Sequence, residues 1–400
     1  MATHKATKAA GDLDPSFGDE GKVLFTLAQG PFRGSSKLLN DGKILTAGFS
    51  ANDVVLVRHL SNGEVDDSFG DHGIKRINLI PGVPVVQAGL TLDSNGNALI
   101  FGSVGEPFEE ILYFIRTLPD GKLDTTFGRE GRVFIDLPAG SDVAHAVAIQ
   151  PDGKIVLAAR AERDFEVYDE VLLRLDSKGH LDPTFGRTGM VFVGKVYFSS
   201  VIVLPDGKLL LAGSKNGVLL FARYLSDGQA DASFGENGFV TLEIKSSTLA
   251  QFSGAMLQRD GKIVAVGYAF FEQKGFRPLT TRVSSDGSLD NTFNHGAPAI
   301  IGFEEHEVQN MAVAIQLDDK IIAVGQSLGS VETANFTLMR FLPNGALDTE
   351  FGSHGRLMTN LGGLDSARGV SLQSDGKIVV SGTVVASPRG TGQGIARYLS

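Results

Sequence analysis

The chain has 400 residues, 42% of them apolar, with 50 glycines and 14 prolines, a composition that suits short strands joined by tight turns and not a disordered low-complexity polymer. Its formal charge of -10, without any Lys/Arg cluster, argues against a nucleic-acid partner. There is no cysteine, which excludes disulfides and thiolate chemistry, and no stretch approaches the ~18 apolar residues of a membrane helix.

In chain order, residues 1–11 (MATHKATKAAG) carry two lysines and no apolar h-region, so they read as a disordered tail and not as a signal peptide. As written, the chain fits a cytoplasmic protein or one exported by a signal-less route. LDPSFGDEG (13–21) reads as a connector and KVLFTL (22–27) as a strand. SSKLLNDGKILTAG (35–48) then reads as two strands around a tight turn, and VVLVRHL as a third. The same series is clearest further on. SDVAHAVAIQ (141–150) alternates apolar and polar residues, the period of a strand with one buried face. PDGK (151–154) turns the chain, IVLAAR and EVLLRLD follow as strands, SKGHLDPTFGRTG (177–189) connects, and MVFVG (190–194) is a fourth strand.

A variant of LDPTFG returns seven times, its Phe recurring as Phe17, Phe69, Phe127, Phe185, Phe234, Phe293 and Phe351, at intervals of 49 to 59 residues. Such a period means one supersecondary unit copied along the chain. Four short antiparallel strands per unit predict an all-β fold, a seven-bladed β-propeller, since a closed ring of small sheets protects their edges. The expected blades are 30–80, 85–138, 141–195, 197–244, 249–303, 307–361, and 364–400 plus 12–28, all within one domain, 12–400. The chain opens with a fourth strand and ends with a third, which predicts a clasp between 22–27 and 394–399.

Within the motif, Asp14, Asp66, Asp124, Asp182, Asp231, Asp290 and Asp348 hold the first position. Asp and the following Ser/Thr can bond nearby backbone amides, Phe supplies buried area, and Gly permits a positive φ. Calcium loops are the rival reading, but the spacing lacks their alternating acidic pattern. Each third strand also carries an arginine (Arg58, Arg116, Arg174, Arg223, Arg282, Arg340, Arg397), read as pairing with a motif Asp or carbonyl while its stem packs on the Phe. The full pattern, L-D-x-[ST]-F-G-x-x-G with Q-x-D-G-K-I-x-x-x-G and an Arg-bearing strand, resembles the delta-60 repeat family of bacterial β-propeller repeats. That resemblance implies a propeller-like fold and a bacterial origin, often in surface or secreted proteins, and no shared catalytic set. Two departures, Asn294 in place of the usual Gly and Glu350 in place of the hydroxyl residue, put local turn geometry in question.

The loops between second and third strands, and between blades, share one face and vary most, which makes that face the expected binding surface. Four loops there mix acidic and aromatic residues, and they nominate Glu106, Phe108, Glu109, Arg163, Asp164, Tyr168, Phe270, Phe271, Arg277, Glu304, Glu305 and His306. Such loops suit a protein partner or a small cationic ligand. His145 and His306 are the only combination worth testing for metal, though one His beside carboxylates is a weak ligand set. No catalytic signature is present and no cofactor is expected. The reading is a monomeric, non-catalytic binding module. The alternatives are a hydrolase or lyase using channel-mouth carboxylates, with or without a metal, and a structural repeat segment of a surface or secreted protein.

Overall fold

A computed structural model describes residues 8–28, 30–138, 140–164, 167–303, 306–329, 334–386 and 390–400. Seven four-stranded antiparallel sheets form a β-propeller. In chain order, blade 1 spans Arg33–Asn78, blade 2 Gly89–Ile135, blade 3 Ser141–Gly194, blade 4 Tyr197–Leu242, blade 5 Leu249–Ile300 and blade 6 Glu307–Thr359. Blade 7 combines Leu364–Tyr398 with the N-terminal strand Lys22–Phe25. Among the described residues no helix is long and apolar enough to cross a membrane.

Each sheet stands radially and is covered on both faces, so the second and third strands carry runs of buried apolar residues. Ile155–Asp164 begins IVLAA, and every one of those five residues is buried. The core therefore lies between blades: Leu112 and Phe114 of blade 2 pack with Ala144, Leu157 and Leu173 of blade 3. Inner strands alternate buried and accessible residues, because one edge faces the central channel.

The clasp forms, with Lys22 opposite Ala396, Val23 opposite Ile395, Leu24 opposite Gly394 and Phe25 opposite Gln393. The expected tail is shorter than the sequence indicates. Residues 1–7 lie outside the described residues, but Ala9 to Gly11 are held in place. Gly11 N donates to Leu399 O (2.8 Å), Leu399 N donates to Asp12 O (2.9 Å), and Gly352 N donates to Ala10 O (3.0 Å). The uninterrupted turn of blade 1 has the same bonds, from Gly63 N to Leu60 O and from Leu60 N to Glu64 O. Ala9-Ala10-Gly11 thus rebuilds the turn at which the chain ends meet, which composition alone cannot signal.

The two irregular connectors keep their blades intact. Asn294–Gly296 forms a short 3-10 turn with Asn294 and His295 at φ +43° and +57°, and only Ala299–Ile300 remains of the outer strand. Phe293 is nevertheless fully buried. At Glu350 the Asp348 turn persists, accepting from Glu350 N at 3.2 Å, without the hydroxyl bond that other repeats make.

Candidate functional site

The recurring motif is the rigid frame around the channel. Oδ1 of Asp182 accepts from the amide (3.0 Å) and the hydroxyl (2.7 Å) of Thr184, while Oδ2 accepts from Arg174 Nε at 2.9 Å. The Asp–Arg contact recurs in all seven blades, and each guanidinium lies 4.4–5.0 Å from the centroid of its motif Phe. Six of these arginines, all but Arg340, also bond to a carbonyl of the next blade, as where Arg58 Nη1 donates to Pro119 O (2.9 Å) and Arg116 Nη1 to Ser177 O (2.7 Å). They are inter-blade rivets. For Asp14, burial pushes the pKa up, but hydrogen bonds from Ser16 and the charges of Arg397 and Lys377 outweigh it and hold the group at about 2. Each motif carboxylate is thus engaged by its own turn and by its arginine.

The loop residues divide into separate groups. Glu106 and Glu109 close an exposed turn (Glu109 N to Glu106 O, 2.9 Å) with Phe108 at its tip, 74% exposed and at φ +71°. In blade 3, Tyr168 lies under the Arg160 guanidinium at 5.4 Å, whereas the side chains of Arg163 and Asp164 fall outside what is described. In blade 5, Phe276 packs tilted against Phe270 (4.9 Å) and edge-to-face with Tyr268 (5.5 Å), and Phe271 closes the strand beside them. Arg277 Nη1 donates to Phe276 O (3.0 Å) and to His306 O (3.4 Å), which brings the exposed His306 to this cluster. Glu304 and Glu305 lie outside the described residues.

His145 does not meet His306. Its Nδ1 lies 3.1 and 3.2 Å from the two oxygens of fully buried Glu170, and its ring is 4.6 Å from Tyr197. Glu170 also accepts from Phe198 N (3.3 Å), which ties blade 3 to blade 4; burial raises its pKa, against the opposing pull of His145. Among the described residues no three His, Asp or Glu side chains converge as a metal site.

The inner strands supply what the loops do not. In blades 3 to 7 the inner strand bulges by one residue against its neighbour, at His145, Ser199, Ser253, Met311 and Arg368. A bulge re-aims its extra side chain. Each of these residues stands seven positions before the Asp of the following tight turn, a signal legible only once the register is known. Blade 1 has no such bulge, and Arg33, opposite Phe49, occupies the level that Tyr197 holds in blade 4. Arg368 in blade 7 is within electrostatic reach of Tyr197 in blade 4, Tyr268 in blade 5 and Arg33 in blade 1. Arg368 is exposed and is the extra residue of a bulge on the inner strand, the strand that faces the central channel. Arg33, Lys37 and Arg368 are all solvent-accessible, and none of their side chains makes a hydrogen bond or ion pair with another described residue. Burial nevertheless depresses the pKa of Arg368 and of Lys37, as expected for cations that are wetted but ringed by protein. Arg33, Lys37, Arg368, Tyr197 and Tyr268 share no motif or spacing, so the sequence points to the variable loops and to His145 instead.

This frame has relatives. Residues 39–69, 150–185, 204–234, 258–293 and 316–351 match the family model described as a domain of unknown function (DUF5122) beta-propeller. Five of the repeats carry its signature. Each matched segment runs from the inner tight turn to the motif Phe. No curated protein matches. Among solved structures, the extracellular domains 1-2 of Drosophila Semaphorin 1b align over 97% of this chain and 88% of their own, at 10% identity and TM-score 0.50. Prolyl oligopeptidase B from Galerina marginata, bound to a 25mer macrocyclization substrate, aligns over 92% of this chain at 12% identity and TM-score 0.50, and the chain spans 49% of its length. A protein of unknown function from Dyadobacter fermentans aligns over 96% of this chain and 100% of its own, at 12% identity and TM-score 0.49. At these identities the likeness is one of fold.

Proposed function

We propose that this protein is a non-catalytic binding module whose ligand enters the central channel from the variable-loop face. The observation that carries this reading is the group of exposed inner-strand cations, Arg368 at its bulge in blade 7 and Arg33 and Lys37 on the adjoining strand of blade 1, whose side chains have no partner among the described residues. Glu170, the acid that acts on Tyr197, is engaged as a structural acceptor by His145 and Phe198 N. That arrangement favours binding over carboxylate catalysis. The rim supports a second reading, docking of a protein, through exposed Phe108 beside Glu106 and Glu109.

A thermal-shift screen of small metabolites tests the first reading, comparing wild type with Ser253→Trp, which narrows the mouth at a bulge position. The expected result is a ligand that stabilises wild type and not the folded variant. Compounds that stabilise both proteins equally would place binding elsewhere and remove the channel from the argument.

A further inference from the structure

The composition and the inner strands of blades 7 and 1 have opposite polarity. The chain as a whole carries -10, and the nominated loops add acidic residues at the rim, yet the accessible charges on the inner strands of blades 7 and 1 are Arg368, Arg33 and Lys37. These two strands adjoin, since a Cβ at Gly369 would stand 3.8 Å from Ser36 O. Both arginines project where no described carboxylate meets them, and that is an uncommon way to leave a guanidinium. Its planar fork of donors is best satisfied by an acceptor, and in a channel with low-dielectric walls an uncompensated pair of cations repels until an anion sits between them. The remaining groups within reach of Arg368 are the phenols Tyr197 and Tyr268, whose pKa values burial raises, so both are O–H donors at neutral pH. Of the acids around these groups, Glu170, which acts on Tyr197, is turned to His145 and to Phe198 N, and Glu307 of blade 6 accepts from Phe276 N.

We infer that the channel mouth binds a small organic anion, its carboxylate or phosphate oxygens held between Arg368 and Arg33 and its carbon body lying against the rings of Tyr197 and Tyr268. This deepens the channel-binding reading and rests on it. It also reverses the polarity that the acidic loops suggest: their charge belongs to the rim, and the ligand meets the inner strands. The recognition is geometric as well as electrostatic, because Arg368 is the extra residue of a bulge, fixed by Ala367 opposite Gly382 on one side and Gly369 opposite Ser381 on the other.

Isothermal titration with benzoate, its neutral isostere benzamide and inorganic phosphate tests the inference on the full chain. Wild type is expected to bind benzoate at one site, more weakly as salt rises, and to ignore benzamide. Arg368→Gln and Arg33→Gln, accessible positions whose replacement leaves the blades folded, should each weaken benzoate by about tenfold or more. Phosphate binding with the same arginine dependence would also support an oxyanion site and assign it to phosphate-bearing ligands. Anion binding that survives Arg368→Gln, or no binding of either anion at millimolar concentration, overturns the inference. If benzamide or a neutral or cationic compound from the metabolite screen binds wild type and is lost in Ser253→Trp while both anions fail, the ligand class is wrong and the channel module stands. If no compound distinguishes Ser253→Trp from wild type, the channel module fails as well.

Discussion

Replacing Asp231 with alanine tests the rivet on which the ring depends. Its Oδ2 accepts from Arg223 Nε at 2.7 Å with Lys208 Nζ 3.2 Å away, and its Oδ1 takes the amide (3.1 Å) and hydroxyl (2.7 Å) of Ser233. After the change Arg223 is still held by Ser285 O (2.5 Å) and Ser233 Oγ (3.0 Å), so its charge stays buried without a counter-charge. Removing one partner of a buried pair costs about 3–5 kcal/mol. Taking an unfolding entropy of roughly 2 cal/mol/K per residue over the whole ring, about 4 kcal/mol lowers Tm by about 5 °C. Differential scanning calorimetry and urea unfolding read the two quantities independently. The double variant Arg223→Met, Asp231→Leu removes both charges and fills their space, so it should recover most of the loss. A single variant that loses under about 1 kcal/mol, or a double variant as unstable as the sum of its single changes, would refute the rivet argument.

Three further outcomes are expected. All seven motif aspartates are held below the ordinary carboxylate range, so they contribute stability above the unfolded pKa that is lost as pH falls through the folded one; the urea midpoint should drop steeply below about pH 4. A flat midpoint down to about pH 2 would contradict this. Burial pushes Asp142 up to about 7 and Asp365 to about 6, with the opposite sign: the stability they allow is complete below the unfolded pKa and declines as pH rises through 6 to 7. Asp142→Asn with Asp365→Asn, which keeps the oxygens that accept from Leu137 and Leu361, should match wild type near pH 4 and exceed it at pH 8, as followed by chemical unfolding. Finally, joining Ser400 directly to Ala10 and reopening the chain between Glu272 and Gln273 should give a permutant at least as stable as wild type, since the join restores the turn that Leu60–Glu64 makes in blade 1. A permutant that fails to fold would show that the seam is not equivalent to the other turns.

The sequence by itself determined the ring. Period, turn residues and apolar alternation are local properties, and seven copies of Asp, Phe and Arg at fixed offsets can satisfy one another in only one repeated way, so blades, clasp and rivets were all legible. The same locality hid the candidate site. Arg33, Tyr197, Tyr268 and Arg368 stand far apart in the chain on three inner strands and one second strand, and they have no shared motif. The first three come within electrostatic range of Arg368 because the sheets are radial and because a one-residue bulge re-aims Arg368 on the channel strand. Loop charge, which the sequence displays, describes the rim. The charge of the channel depends on which inner-strand residues stay accessible once the ring has closed, and only the tertiary structure decides that.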